Sequence, residues 1–269
     1  KSGLYGPGIA LGLVVGIVPF AATAQGVVVY GNYDGTNVNY LNVSETPTQQ
    51  PGPTPTELYG PPTISADSLI FNPVNFVSSA SGGSTELQDG RLTLNVTPNG
   101  PAIPSFIDIF EGGAWEVTGG TQATAALEAL LVNQMTITSV NGTPINPVVV
   151  TPTITFTDTA NAATVTDTSD SIEFNSTGGI ADGTWNGTAS FDLPAALAAA
   201  GLSGNVTGVS LALNDQLITT SETNSTAFID KKFFEITAPA TPVPEPVTLS
   251  GVMVAGAALL SRRRRSSVA

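Results

Sequence analysis

The sequence predicts a mostly β chain: an antiparallel β-sandwich with two short helices and an internally duplicated plan. Three observations predict it: many short runs of β-branched and aromatic residues, turn residues between nearly all of them, and a Gly-x-Trp motif that occurs twice.

The first run, "VVVYGNYDGTNVNYLNV", holds Asp34-Gly35 between two alternating segments, a hairpin signal because both residues tolerate the positive φ of a tight turn. "LIFNPVNFV", "RLTLNVT", "SFIDIF", "MTITSV", "TITFT", "VSLAL" and "KKFFEIT" follow, each bounded by Gly, Pro, Asn or Asp. Two stretches rich in Ala and Leu, 121–133 and 193–200, read as helices of two to three turns. Leu127, Leu130, Leu131, Leu197, Ile137, Phe156, Leu211, Leu213, Phe233 and Ile236 are the apolar members of these runs and are expected in the core. Gly113-Ala114-Trp115 and Gly183-Thr184-Trp185 lie 70 positions apart, and Ala125-Ala126-Leu127 and Ala195-Ala196-Leu197 share that offset. Two halves built as strand, short helix, strand and turn would account for the match, and so would chance in a sequence of low complexity.

Segment 45–62 is rich in Pro and Thr and reads as an irregular loop or linker. It separates an N-terminal hairpin segment, 25–44, from a sandwich body, 63–237, and a short stalk, 238–242, follows.

Composition excludes several chemistries. The 269 residues include no Cys and no His, so disulfides, thiolates, imidazole bases and His-ligated metals are ruled out. The net charge is −13, and between residues 25 and 242 only Arg91, Lys231 and Lys232 are basic, against twenty acids. Such a surface repels phosphate backbones, so nucleic acid is not an expected partner.

Both ends read as export signals. Segment 1–24 has an apolar run over 9–20 and then Ala22-Thr23-Ala24, a small-x-small site for signal peptidase before Gln25. Near the other end, Val243-Pro244-Glu245-Pro246 precedes an uncharged segment, 247–260, followed by Arg262, Arg263, Arg264 and Arg265. As a helix that segment spans about 21 Å against about 30 Å of hydrocarbon, enough to enter the inner membrane but marginal as a permanent anchor. The arginines stay cytoplasmic and stop translocation. On these residues the tail 243–265 resembles a PEP-CTERM sorting signal. The resemblance implies an exosortase of a Gram-negative bacterium as processing partner and delivery to the cell surface or exterior, often beside exopolysaccharide. It implies nothing about what the body does.

Within the body, Trp115 and Trp185 each follow a Gly-rich turn and are the candidate sugar contacts, although a large aromatic at a strand start more commonly fills a core. Tyr30, Tyr33, Tyr40 and Tyr59 carry the same two readings. Asp108, Glu111 and Glu116 are the densest acids near an aromatic. Alternation with Ile107 and Ile109 sends Asp108 to solvent, and no carboxylate pair stands out as tuned, so no catalytic residue is expected. Calcium is the one metal the composition allows, but neither Asn32, Asp34 and Asn37 nor Asp158, Asp167, Asp170 and Glu173 has EF-hand spacing. No metal and no cofactor is expected. Asn-x-Ser/Thr triplets begin at Asn42, Asn95, Asn141, Asn175, Asn186, Asn205 and Asn224, a weak excess over chance.

The expected function is that of an exported, exosortase-processed surface or extracellular-matrix protein without catalytic activity, associated with exopolysaccharide or biofilm. The alternatives are a carbohydrate-binding module of that matrix and a secreted glycan-cleaving enzyme acting through paired carboxylates.

Overall fold

A computed structural model describes residues 26–47, 56–119, 123–128, 134–161, 163–167, 171–176 and 179–239. The signal-peptide residues Ala22, Ala24 and Gln25, and the sorting-signal residues Pro244, Glu245, Pro246 and Arg262 to Arg265, lie outside them, as do Leu130 and Leu131.

The strands are β1 (Val28–Asp34), β2 (Val38–Pro47), β3 (Thr63–Ser65), β4 (Ser68–Phe71), β5 (Val77–Ser81), β6 (Thr85–Pro98), β7 (Phe106–Thr118), β8 (Thr124–Glu128), β9 (Gln134–Val140), β10 (Thr143–Val150), β11 (Thr153–Asn161), β12 (Ala163–Asp167), β13 (Ser171–Ser176), β14 (Ile180–Asp192), β15 (Val206–Thr220), β16 (Thr226–Asp230) and β17 (Phe233–Thr237). One helix, α1 (Leu193–Ala199), stands among them. The fold is mostly β, and every strand pairing is antiparallel, as the alternating runs require.

Nine strands form one sheet, in the order β1-β2-β6-β15-β8-β13-β12, with β9 pairing both β15 and β10. Eight form the other, in the order β11-β14-β7-β17-β4-β3, with β16 pairing both β7 and β5. The two sheets share one hydrophobic core. Trp115 of β7 stacks on Phe174 of β13 across the sheets, with centroids 4.3 Å apart and planes at 7°.

The same layout occurs on both sides of the core. Strand β7 is paired along its whole length with β14, but on its other edge with β17 at one end and β16 at the other. Strand β15 is paired at length with β6, and on its other edge with β9 and then β8. Each long strand therefore has a short interval, near Gly113-Ala114 and near Leu213-Asn214-Asp215, where one flanking strand gives way to the next.

One expectation is corrected here, and two segments are seen in more detail. The stretch 121–133 is not a helix over its described part: Thr124–Glu128 is a strand between β15 and β13, because two open edges on either side satisfy its backbone more fully than an isolated turn of helix would. The hairpin 25–44 and the body are one unit, since β2 pairs with β6. The end of the 45–62 segment packs against the core, with Leu58 and Tyr59 fully buried. The second expected helix is present: Asp192 caps it by accepting from Ala195 N at 2.8 Å, and Leu193 and Leu197 bury its inner face. Of the core residues expected, Ile137, Phe156, Leu197, Leu211, Leu213 and Ile236 are buried, whereas Phe233 is 37% exposed because it starts β17 on the outward parity. The side chain of Leu127 lies outside what is described.

The Gly-x-Trp pair has a local explanation. In the β7–β14 ladder Gly113 faces Trp185 and Trp115 faces Gly183, about a pseudo-twofold between Ala114 and Thr184. Each indole lies over the other strand's glycine: a Cβ on Gly113 would stand 3.0 Å from Trp185 Nε1, and one on Gly183 would stand 3.0 Å from Trp115 Nε1. The 70-residue offset thus reflects an antiparallel exchange, and the Ala-Ala-Leu match does not extend it, since one copy is strand and the other helix.

A Cβ at Gly113 would also meet the carbonyl oxygen of Asp230 at 1.8 Å. Gly113→Ala is expected to destabilise the fold by roughly 3 kcal/mol, while Gly100→Ala, with nothing within 4 Å, changes stability by under about 0.5 kcal/mol; urea midpoints check both.

Candidate functional site: a buried lysine between two carboxylates

Strand parity places charges inside the sandwich. Ile107, Ile109, Trp115 and Val117 point inward from β7, and Glu111 has the same parity. Leu211, Leu213, Leu217 and Thr219 point inward from β15, and so does Asp215. Lys231 follows β16 at the elbow into β17, where its own N–H donates to the Phe76 carbonyl at 2.9 Å and that of Lys232 donates to Gly112 at 2.8 Å. The elbow thus plugs the interval between β16 and β17 beside β7. Asp230 completes the plug by accepting from Ala114 N at 2.7 Å through its carboxylate and from Trp185 Nε1 at 3.1 Å through its carbonyl.

Fixed in this way, the Lys231 side chain runs into the core, where its Nζ donates to Glu111 Oε2 and, at 2.5 Å, to Asp215 Oδ2. All three side chains are buried. Glu111 belongs to one sheet and Asp215 to the other, so the ammonium joins the two. Tyr59 OH donates to the same Asp215 oxygen at 2.5 Å. The rings of Phe76, Phe234 and Tyr59 surround Nζ, with centroids at 5.0, 5.2 and 5.8 Å. Glu111 Oε1 and Asp215 Oδ1 have no hydrogen-bond partner among the described residues.

One ammonium serves two carboxylates away from bulk solvent, and the charges adjust accordingly. Burial pushes the Glu111 carboxyl up, Lys231 draws it down, and Asp215 pushes it up again, leaving it at about 7. Burial on its own would lower the Lys231 ammonium, but Asp215 and Glu111 more than offset this and hold it above its ordinary value. Burial and the Asp215 carboxylate push the Tyr59 hydroxyl well up, so it stays a donor.

A second buried carboxylate positions Tyr59. Glu45 accepts from Tyr30 OH at 2.5 Å, Leu58 N at 2.6 Å and Tyr59 N at 3.2 Å, pinning the end of the Pro/Thr-rich segment against the core. Tyr40 OH donates to the Asp67 carbonyl at 2.5 Å, and Asp67 accepts from Asn37 Nδ2 at 2.6 Å.

The remaining sequence candidates separate. Asp108 is half-buried and accepts from Ser190 Oγ at 2.6 Å, and Glu116 is exposed, so the three acids do not converge. Glu111, set aside with them, is the one in a perturbed site; its parity with Ile107 and Ile109 was the available signal. Trp115 and Trp185 are 1% and 0% exposed, so neither offers a face to a sugar ring and that assignment is corrected. Their two-sided packing, on Phe174 and on the opposing glycine, accounts for it. Asn32 and Asn37 are engaged by the Asn42 amide and by Asp67, and among the described residues no group of three His, Cys, Asp or Glu could hold a metal ion. Asn42, Asn141 and Asn224 of the Asn-x-Ser/Thr set have φ of 56°, 49° and 66°, so left-handed backbone accounts for their presence, at a register shift within β2 for Asn42 and in turns for the other two.

No protein-family model and no curated protein sequence matches the chain. Among solved structures it is similar to "infectious bursal disease virus VP2 subviral particle" at 12% identity and a TM-score of 0.11, covering 85% of this chain and 59% of that one. At about three fifths of the other chain's length and at that score, the likeness carries no argument.

Because the Glu111 carboxyl titrates at about 7 when folded and near 4.5 when free, the native state holds a proton between those values that the unfolded chain has released. Its contribution is therefore full below about pH 4.5 and is lost as pH rises toward 7, on the order of 3 kcal/mol. Denaturation midpoints of the wild type should fall over that window, and Glu111→Gln should flatten the slope. Lys231→Ala leaves two buried carboxylates without their cation and should cost roughly 3–5 kcal/mol in the same assay.

Proposed function

We propose that the chain is an exported, non-catalytic surface or extracellular-matrix protein, carried out by its leader and processed by an exosortase at its tail. The observation that carries this reading is the ordered series Pro244-Glu245-Pro246, apolar 247–260 and Arg262 to Arg265, with the Ala22-Thr23-Ala24 site at the other end of the chain. Two features of the body support it. Glu111, the carboxyl poised near neutral pH, is sealed with Lys231 beneath aromatic rings where no polysaccharide reaches it. The acidic body, with three basic residues from 25 to 242, stays soluble among anionic polymers rather than binding them through charge. In this reading the body is a durable β-sandwich and exopolysaccharide is its surroundings.

C-terminal peptide mapping of the mature protein from its native host is expected to show loss of everything after the Pro-Glu-Pro region. Glu245→Ala should leave membrane insertion intact and accumulate unprocessed precursor. Mature wild-type protein that still carries Arg262 to Arg265 would overturn the sorting reading.

A further inference from the structure

We propose that Lys231 and Asp215 condense into an intramolecular isopeptide bond, which joins β15 of one sheet to the β16–β17 elbow of the other, with Glu111 as the proton carrier. The inference is independent of how the protein is exported.

Three features of the site point to it. The amine and its acceptor are already in contact, with Nζ 2.5 Å from Asp215 Oδ2; Asp215 is held in the paired strand β15 and Lys231 by the elbow's backbone bonds to Phe76 and Gly112, so the entropy of bringing them together is spent in folding. The site is shielded from bulk solvent: the three side chains are buried and three aromatic rings lie around the nitrogen, which opposes hydrolysis and favours condensation. The hydrogen bonding is also asymmetric. Tyr59 OH donates to Oδ2 and so polarises the Asp215 carboxyl carbon and receives the charge that develops on that oxygen, whereas Oδ1 has no partner among the described residues. Oδ2 therefore remains as the amide carbonyl, and Oδ1 is the oxygen that departs.

The step balances without an oxidant or reductant. The Nζ–Cγ bond forms and the Cγ–Oδ1 bond breaks. Of the three ammonium protons one stays on the amide nitrogen, and the other two pass by way of Glu111 Oε2 to Oδ1, which leaves as water. A carboxyl poised near neutrality can both take and return a proton, and Glu111 touches the nitrogen that must lose them. Condensation also resolves the electrostatics of the core: an ion pair and a buried, unpartnered carboxylate oxygen give way to a neutral amide. Asp215 is assigned as the acceptor rather than Glu111 because it alone receives the tyrosine's hydrogen bond.

The test is the intact mass of the purified full chain, read after denaturation and compared with the sequence between its mapped ends. The expected mass is lower than the sequence mass by one water, about 18 Da. Digestion beside aromatic residues should give a branched peptide linking the Asp215 and Lys231 segments. Lys231→Arg, Asp215→Ala and Glu111→Gln should each have the full mass, with β-type circular dichroism identifying which of these variants still fold. Asp215→Asn keeps the shape of the site and can condense with release of ammonia, so its deficit should be about 17 Da instead. Full mass in folded wild-type chain overturns the proposal, as does a branched peptide that joins Lys231 to Glu111 or to any residue other than Asp215.

Discussion

The rest of the structure depends on the placement of one positive charge, Lys231, between carboxylates from opposite sheets. A buried ion cluster is a poor source of net stability, because desolvation consumes most of the attraction. Its effect is on specificity. Slipping β7 by one residue would turn Glu111 to solvent and swing Trp115 out of its stack on Phe174, leaving the ammonium buried with half its counter-charge. The same holds for Asp215 on β15. Two long strands are thus locked in register against each other through a residue that belongs to neither.

The intervals in the flanking strands make that placement possible. Where β17 gives way to β16 the elbow enters, and its backbone and the Asp230 carboxylate satisfy Gly112 and Ala114, which would otherwise lack ladder partners. Gly113 has to be glycine because the elbow's carbonyl occupies the place of a side chain. Tyr59 reaches Asp215 only because Glu45 pins the segment before it. The buried acids are held by donors from distant segments, Glu45 by Tyr30 and the Leu58 and Tyr59 amides, and Glu111 and Asp215 by the shared Lys231.

Much of the β architecture was legible because alternating runs and turn residues are local signals. Thr124–Glu128 was not, because Ala125, Ala126 and Leu127 favour helix in isolation and only the open edges of β13 and β15 make them a strand. For the tryptophans, core filling was the commoner of the two readings and is the one found, but the Gly-x-Trp repeat resembled duplication, whereas its meaning lies in the cross-strand exchange of Trp and Gly. Half of the charged site was within reach, since Glu111 and Asp215 sit at inward positions of apolar alternations. That Lys231 meets both of them follows from long-range pairing across more than one sheet, which periodicity does not encode.

Strand β17 lies between β7 and β4, bonded to both, and Ala238, the residue after it, is still buried, its N–H donating to the Asp67 carbonyl at 3.3 Å. A pull on the end of β17 along the strand loads the ladders on both sides in shear, so their bonds share the force instead of opening one after another. Behind β17, at its far end, sits Lys231, gripped from both sheets. A load applied along β17 therefore reaches the charged lock only after the ladders have failed.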